Sequence, residues 1–375
     1  MSLSAAIIVK DEADHLDACL SSLDGLVDEI VVVDTGSTDG SVAVADRYGA
    51  VVAHEPWRGD FSTPRNRSLD LATGDWILYI DADERVRGDV AAARAFLDSN
   101  DDCVACRVRF VPRVGWTPFR EYRLWRNRDD IRFRGHIHET MLPAIRDVAD
   151  AEGWRIEPFD WFTIHHLGYE GDRPDKRARD EPLLVAELAR HPDRAFVYDH
   201  LARVYEAAGD DARAVDTWKR GIAVARARNC SHVDDRLLYV DLIHHLLAYG
   251  RVDDELEALV QEARGVFDRN PTLELAAARL AFATGRPRDA LEPLDWLVGL
   301  DDDAIIATGA SYDERVFGEW SWGLIGLCRF ALGDDVGAAD AFRHAEQLAP
   351  GDPSYGVRRR LAEARSAGSA ATPAV

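Results

Sequence analysis

The sequence predicts an α/β domain with a mostly parallel sheet, followed by an all-helical repeat domain. Three observations support this prediction. The length of 375 residues exceeds that of one ordinary domain. The first half alternates short apolar runs with segments of helical periodicity. Near residue 172 the strand pattern stops, and a helical repeat of about 34 residues begins. We therefore assign 1–172 to the first domain and 173–365 to the second.

Four apolar runs predict the strands of the sheet, and the segments between them predict helices. The strands are 5–9, 29–33, 50–53 and 76–80. The helices, with apolar residues at helical spacing, are 14–26, 41–48 and 62–72. Repeated βα units imply parallel strands with right-handed crossovers. Ligands in such sheets bind beyond the carboxyl ends of the strands.

A glycine register predicts helical hairpins in the second half. Residues 195–228 fit a tetratricopeptide repeat, in which Gly209 lies in the turn between two helices. The equivalent glycines of three further repeats are Gly250, Gly285 and Gly333. Residues 299–318 form an insertion before the last repeat, and another kind of helical bundle is the alternative. The tail 366–375 is rich in Ala, Ser, Gly and Pro, and we predict that it is disordered.

Charge and composition together argue against several classes of function and several cellular locations. The net charge is −22, whereas a duplex-DNA binder needs a basic surface, so nucleic acid is not an expected partner. No apolar run reaches the roughly 18 residues of a membrane span. The first residues lack the basic segment of a signal peptide. Five scattered cysteines are typical of a reduced protein, and we expect a cytoplasmic location.

Two acidic residues directly follow the fourth strand. Asp81 and Asp83 stand one residue apart, so an extended turn could direct both carboxylates at one cation. Mg²⁺ and Mn²⁺ prefer such oxygen ligands and often share a site with substrate phosphates. A solvated turn that caps a helix is the alternative, because the chance run 301–303 contains the same acidic pattern. The position at a strand end favours the metal site.

Together these motifs resemble the inverting family 2 glycosyltransferases, which have the GT-A fold with a Rossmann-like sheet. The segments that carry the resemblance are 8–12, 33–39, 60–66 and 72–84. It covers residues 5 to about 172. Within the family, the chain is similar to the branch with C-terminal tetratricopeptide repeats, which includes sublancin-type peptide S-glycosyltransferases. It is also similar to lipopolysaccharide-core glucosyltransferases.

The resemblance implies a role for each matching position. The residues implied to bind the nucleotide sugar are Val9, Asp11, Asp34, Arg65, Asp81 and Ala82. Asp83 is implied to bind the metal together with His166, although His165 and His138 are competing histidines. Glu139 is implied to be the base that deprotonates the acceptor. His138 and Trp125 are implied to lie on the acceptor side.

The expected activity is metal-dependent transfer of a hexose from a UDP-sugar, with Mn²⁺ or Mg²⁺ as cofactor. Glucose is the default hexose. A peptide or protein is the favoured acceptor, because tetratricopeptide grooves often hold peptides. An envelope glycan or a lipid-linked molecule is the alternative acceptor. The repeats could instead form a homodimer. A non-catalytic scaffold that only binds a sugar nucleotide is the second class of function, and the intact acidic residues argue against it.

Overall fold

The computed structural model describes residues 1–167, 174–232 and 234–370, and the chain forms two compact units. The first unit contains Met1–Glu187 together with Gly309–Ser311. The second contains the other residues from Leu188 onward. The predicted boundary at residue 172 lies outside the described residues. The division between the units falls later, inside the helix Pro174–Arg190.

The first unit is built on an eight-stranded mixed sheet. Its strands are β1 (Leu3–Val9), β2 (Glu29–Asp34), β3 (Val51–His54), β4 (Trp76–Tyr79), β5 (Glu84–Gly88), β6 (Cys103–Val111), β7 (Phe119–Arg126) and β8 (Arg155–His166). Their order in the sheet is β3-β2-β1-β4-β7-β6-β8-β5. The pairs among β1, β2, β3 and β4 are parallel, as predicted. β7 pairs antiparallel with both β4 and β6.

Helices cover the sheet, and the first three of them lie at the places that the sequence predicted. They are α1 (Ala13–Ser21), α2 (Ser41–Arg47), α3 (Ser62–Leu71), α4 (Val90–Ser99) and α5 (Leu142–Glu152), and α6 (Pro174–Arg190) follows β8. The central strand β1 is almost wholly buried, which explains why its sequence is apolar throughout. One core cluster joins β1 and β4 to α1, and a second lies on the other side around Trp125 and Ile145. The core therefore has two layers, one on each face of the sheet.

The second unit consists of helical hairpins, and the predicted register of glycines is confirmed. Its helices are α7 (Ala195–Ala207), α8 (Asp211–Ala227), α9 (Asp235–Ala248), α10 (Asp254–Val266), α11 (Pro271–Ala283), α12 (Pro287–Val298), α13 (Asp302–Ala307), α14 (Glu319–Ala331), α15 (Asp335–Leu348) and α16 (Pro353–Ala370). Gly209, Gly250, Gly285 and Gly333 all have φ between 71° and 83°. Each follows the first helix of a hairpin by two residues. Only glycine adopts this backbone conformation without strain, which explains the recurrence.

Two sequence predictions about the second half need comment. The insertion 299–318 is not a plain loop, since it contains α13 and a short 3-10 helix, Glu314–Val316. The prediction of disorder is wrong for residues 366–370, which continue α16. Alanine has the highest helix propensity, and the preceding helix is already nucleated, so the Ala-rich segment extends it. Residues 371–375 lie outside the described residues. No helix in the described ranges is long and apolar enough to cross a membrane.

Candidate active site

A pocket of about 250 Å³ opens at the carboxyl ends of β1, β2 and β4. This is the edge at which ligands bind in sheets of parallel strands. The residues of the pocket that the sequence predicted are Val9, Arg65, Asp81, Ala82, Asp83 and His166. The structure therefore brings together residues from four separate segments of the chain. Asp11, Asp34 and Glu139 are not part of the lining, although each contacts a segment that is.

Asp34 ends β2 and shapes the loop that follows. Its carboxylate accepts hydrogen bonds from the backbone N–H of Ser37 at 3.0 Å and of Gly36 at 3.3 Å. His54 Nδ1 lies 3.1 Å from the same carboxylate. Burial alone would raise the pKa of Asp34, but the hydrogen bonds from Ser37, His54 and Gly36 outweigh it and lower the pKa. Asp34 is thus an ionised acceptor at the edge of the pocket.

Asp11 joins the loop after β1 to the loop after β2. Its carboxylate accepts hydrogen bonds from the backbone N–H of Thr38 at 2.6 Å and from the Thr38 hydroxyl at 3.1 Å. Its own N–H donates to the Ser37 hydroxyl at 3.0 Å. Asp11 has φ 53°, a conformation that Asn and Asp tolerate better than most residues. These contacts give Asp11 an organising role in the loops beside the pocket.

Asp81 begins a tight turn between β4 and β5. Its N–H donates to the Glu84 carboxylate at 2.8 Å, and the Glu84 N–H donates back to the Asp81 carbonyl at 3.0 Å. On the side chain, Arg65 Nη1 donates to Asp81 Oδ1 at 3.1 Å. Burial favours the neutral acid, but Arg65 and Arg123 outweigh burial and lower the pKa of Asp81. Asp81 is therefore held in place as a carboxylate.

Arg65 also binds Glu139, so one guanidinium joins the predicted base to the strand-end acid. The Arg65 Nε donates to Glu139 Oε1, and both side chains are 9% exposed. The loop that carries Glu139 is fixed to the start of α3 by two side chains of that helix. Ser62 donates to the Gly135 carbonyl, and Asn66 donates to the Phe133 carbonyl at 2.9 Å. The motif at 60–66 thus holds the loop of Glu139 against α3, so that Glu139 pairs with the pocket residue Arg65.

Tyr79 lies between two guanidinium groups beneath Asp81. The Arg65 and Arg123 carbons lie 4.3 and 4.4 Å from the centre of its ring, and its hydroxyl donates to Asp81 at 3.3 Å. Arg123 Nη2 donates to the fully buried Glu84 at 2.9 Å. Burial raises the pKa of Glu84 to about 8, although Arg123 opposes the shift. Sequence reasoning missed the layer formed by Tyr79, Arg123 and Glu84, because nothing in the sequence distinguishes Arg123 from any other charged residue on a strand.

Asp83 and His166 meet at the end of the same turn. β8 pairs with β5 so that His166 lies opposite Glu84, and the Leu167 N–H donates to the Asp83 carbonyl at 3.0 Å. His166 Nε2 lies 3.3 Å from Asp83 Oδ2. Burial would raise the pKa of Asp83, but the contact with His166 outweighs it and lowers the pKa. These two side chains supply one nitrogen and one carboxylate donor, which suit Mn²⁺.

Protein donors alone do not complete a metal site here. Within the described ranges, no group of three or more His, Cys, Asp or Glu side chains is arranged to hold an ion. Mg²⁺ and Mn²⁺ commonly take one or two protein ligands and fill the remaining positions with water and substrate phosphate oxygens. Asp83 and His166 fit that arrangement.

Two residues predicted on the acceptor side have different outcomes. Trp125 is fully buried in the second core cluster, between β4 and β6, so its assignment to the acceptor side is wrong. A central strand has both faces covered, and an aromatic residue there belongs to the core. His138 lies in the loop beside Glu139, with φ 52°, and its acceptor role stays a prediction.

Among the described residues, eight others line the pocket, and four of their side chains add features that sequence reasoning did not predict. Trp57 and Phe61 form an edge-to-face pair, with ring centres 4.6 Å apart. The Trp57 N–H donates to the Thr35 carbonyl at 3.2 Å, which fixes the loop after β3 against the end of β2. Lys176 and Arg179 come from α6 and also line the pocket. The sequence shows the spacing between Trp57 and Phe61, but their loop has no periodic pattern from which the contact between the two rings could be predicted.

Residues 4–144 match the family model described as glycosyl transferase family 2. The chain carries a family 2 glycosyltransferase domain. The matched range includes every pocket residue named above except His166, Lys176 and Arg179, so these three come from the segment that follows.

Two curated proteins extend the similarity beyond this domain. A TPR repeat-containing protein of Synechococcus elongatus is 34% identical over 265 residues, which cover 69% of this chain and 64% of that protein. The SPbeta prophage-derived glycosyltransferase SunS of Bacillus subtilis is 26% identical over 255 residues, which cover 64% and 57% of the two chains. The chain therefore spans about three fifths of the length of these relatives.

Among solved structures, glucosyl-3-phosphoglycerate synthase from Mycobacterium tuberculosis in complex with Mn²⁺, UDP and glucosyl-3-phosphoglycerate aligns with the chain at 19% identity and a TM-score of 0.38. The alignment covers 50% of this chain and 79% of that one.

Proposed function

We propose that the protein is a metal-dependent inverting glycosyltransferase that moves a hexose, glucose by default, from a UDP-sugar to an acceptor. The observation that carries the proposal is that Arg65, Asp81, Asp83 and His166 line one pocket and that Glu139 is paired with Arg65. A nucleotide diphosphate needs its charge offset, and an inverting transfer needs one base near the acceptor. The family 2 domain supports the same reaction class.

Each group of site residues has a separate role in the proposed reaction. The loops held by Asp11 and Asp34 would receive the uridine, and an ionised Asp34 can accept a hydrogen bond from the uracil N–H. Asp83 and His166 would hold the divalent cation, which when bound stabilises the diphosphate as a leaving group. Arg65 keeps Asp81 and Glu139 on either side of one guanidinium. Asp81 is then placed to orient the ribose or the sugar.

In the transfer itself, the acceptor atom attacks the anomeric carbon from the face opposite UDP. The bond to the β-phosphate oxygen breaks, and its electron pair leaves with UDP. The acceptor proton passes to Glu139, whose Oε1 is bonded to Arg65, so Oε2 is the oxygen available to take it. A single displacement of this kind inverts the anomeric configuration.

We place the activity in the cytoplasm, because all five cysteines are free thiols in a protein that needs no disulfide. A peptide or protein is the proposed acceptor, since the repeat unit resembles modules that hold peptides. An envelope glycan or a lipid-linked molecule is the competing acceptor.

The donor is tested by thermal denaturation with a panel of nucleotide sugars. We expect UDP-glucose to raise the melting temperature in the presence of Mn²⁺, with little effect when the metal is chelated. GDP-mannose and dTDP-glucose serve as matched controls for the base. An equal rise with all three would contradict the role of Asp34, and a rise independent of metal would contradict the role of Asp83 and His166.

A further inference from the structure

Lysine is rare in this chain, yet two of its lysines line the candidate active-site pocket. Among the 45 residues that are Lys or Arg, only Lys10, Lys176 and Lys219 are lysine. Lys10 directly follows β1, Lys176 lies in the first turn of α6, and both are part of the pocket lining. The lysine ammonium is a compact point charge on a flexible stem, which suits contact with a phosphate group. The pocket therefore contains amines in a protein that otherwise uses guanidinium groups.

Lys176 lies close to Asp83, one of the two residues proposed to hold the metal. Burial raises the pKa of Asp83 and the contact with His166 lowers it, and the charge of Lys176 is a further cause that lowers it. Such an electrostatic effect weakens with distance, so the ammonium must lie near the carboxylate. Lys176 is also half-buried, whereas Lys10 is exposed. Of the two pocket lysines, Lys176 is thus the one beside the proposed metal site.

Contacts of the next turn of α6 hold Lys176 at the pocket. Arg179 follows Lys176 by three residues, so the two side chains are neighbours on one face of the helix. The guanidinium carbon of Arg179 lies 5.2 Å from the centre of the Phe61 ring, and its Nε donates to Asp180 at 2.7 Å. The Phe61 N–H donates to the His136 carbonyl at 2.9 Å, which fixes the ring in turn. Arg179 therefore anchors α6 beside the pocket.

The pocket cation next to the strand-end acids, Arg65, is already neutralised by the protein. It bonds to both Asp81 and Glu139. A UDP-sugar brings a negatively charged diphosphate to the pocket, and breaking its bond to the anomeric carbon adds one more negative charge on the β-phosphate oxygen. A cation stabilises the transition state most where this new charge develops. The position of Lys176 beside Asp83 fits that requirement.

We propose that the Lys176 ammonium binds the β-phosphate of the donor and stabilises the leaving UDP, an inference that rests on the proposed function. As the bond between the anomeric carbon and the β-phosphate oxygen breaks, the electron pair stays on that oxygen. Lys176 donates a hydrogen bond to the oxygen and keeps its proton. This contact adds to the charge that a bound divalent cation supplies. Lys176 lies beyond residues 4–144, so its role is not part of the match to the family model.

The small number of lysines makes a chemical test direct. The full chain is acetylated briefly with N-hydroxysuccinimidyl acetate in the presence of Mn²⁺, and mass spectrometry measures the modification of each lysine. Saturating UDP should reduce the acetylation of Lys176 several-fold, whereas UMP, which lacks the β-phosphate, should not. Lys219 pairs with Glu255 in the second unit and is the internal control, which should be modified equally in all samples.

A kinetic measurement separates this role from a structural one. Lys176→Ala should slow the release of UDP from UDP-glucose by about 100-fold, as is typical when one donor to a developing negative charge is removed, with a much smaller change in KM. Lys176→Arg restores the charge and should recover part of the rate. Lys219→Ala is the matched control and should release UDP at the rate of wild type.

UDP that binds without protecting Lys176, or equal rates for wild type and Lys176→Ala, would overturn the inference. Equal protection by UDP and UMP would also overturn it, because the contact would then not be with the β-phosphate. A wild-type protein that neither binds UDP in the thermal measurement nor releases it from UDP-glucose gives a different result. In that case the proposed function itself fails, and this inference fails with it.

Discussion

Arg65 connects the two acidic residues on which the proposed chemistry depends. It lies in the first turn of α3, is 7% exposed, and bonds to both Asp81 and Glu139. The Glu139 pairing spans 74 positions of the sequence. The aromatic rings of Tyr79 and Phe133 enclose the guanidinium at 4.3 and 5.7 Å. Arg65 is therefore a structural counter-ion of the site rather than a freely exposed phosphate ligand.

Replacing Arg65 by methionine should destabilise the fold strongly. The change leaves the carboxylates of Asp81 and Glu139 without their shared cation in a poorly hydrated place. Removing one partner of a buried ion pair typically costs about 3–5 kcal/mol. Urea denaturation monitored by tryptophan fluorescence measures the free energy of unfolding. Arg67→Met on the exposed face of the same helix is the control and should change stability by less than about 0.5 kcal/mol.

If Arg65→Met proves as stable as Arg67→Met, the two carboxylates must be solvated or protonated without Arg65. The assignment of Arg65 as their counter-ion would then be wrong.

Site residues were predictable where sequence context constrains position. Asp81 and Asp83 follow an apolar strand directly, and a strand of that kind delivers whatever follows it to the edge of the sheet. The Arg65–Glu139 pairing was not predictable from spacing, because it depends on how a distant loop docks on α3. Trp125 was misassigned to the acceptor side because its sequence context does not reveal that antiparallel partners on both sides of its strand bury it.

At the scale of elements, α7 carries a buried acid that the repeat pattern does not require. Asp199 is fully buried, and the indole N–H of Trp218 on α8 donates to it at 2.9 Å. Burial raises the pKa of Asp199 to about 8, and the neighbouring Asp241 adds to the shift. In the unfolded chain an aspartate ionises near pH 4. Between about pH 4 and about pH 8, Asp199 is thus protonated in the folded protein but ionised in the unfolded chain.

This difference predicts the direction of a pH effect on stability. The contribution of a group whose folded pKa is raised is fully present below its unfolded pKa and is lost as pH rises toward the folded value. Wild type should therefore lose stability relative to Asp199→Asn between pH 5 and pH 8. The asparagine can still accept the Trp218 hydrogen bond. Melting temperatures measured across this range, with exposed Asp216→Asn as control, check the prediction.

Parallel pH profiles for wild type and Asp199→Asn would show that Asp199 is ionised throughout, held by Arg203. The raised pKa would then be incorrect.

Elements were predicted well where a local rule governs them. The parallel strands and their helices follow from hydrophobic periodicity, and the hairpin turns follow from glycines with positive φ. The order of the strands β5 to β8 in the sheet was not predicted, because their pairing joins segments that lie far apart in the sequence. The helix at 366–370 was missed because composition alone does not reveal the helix that precedes it.

At the scale of the whole molecule, the charge of −22 divides into functional and solvated parts. Asp34, Asp81 and Asp83 gather at one edge of the sheet, where a divalent cation would offset both their charge and that of a diphosphate. On the repeats, many acids pair with arginines at the surface, as Glu262 does with Arg226, and such pairs contribute little stability. The acidic excess is thus compatible with a site for an anionic donor, provided that a divalent cation is present.

The most direct test of this account is release of UDP from UDP-glucose, measured with Mn²⁺ for wild type, Asp83→Ala and the exposed control Asp24→Ala. We predict that wild type and Asp24→Ala release UDP at the same rate, and that Asp83→Ala is slower by about 100-fold, because the stabilisation of the leaving diphosphate is lost. Equal release by all three proteins, or no release by wild type although UDP binds, would contradict the account.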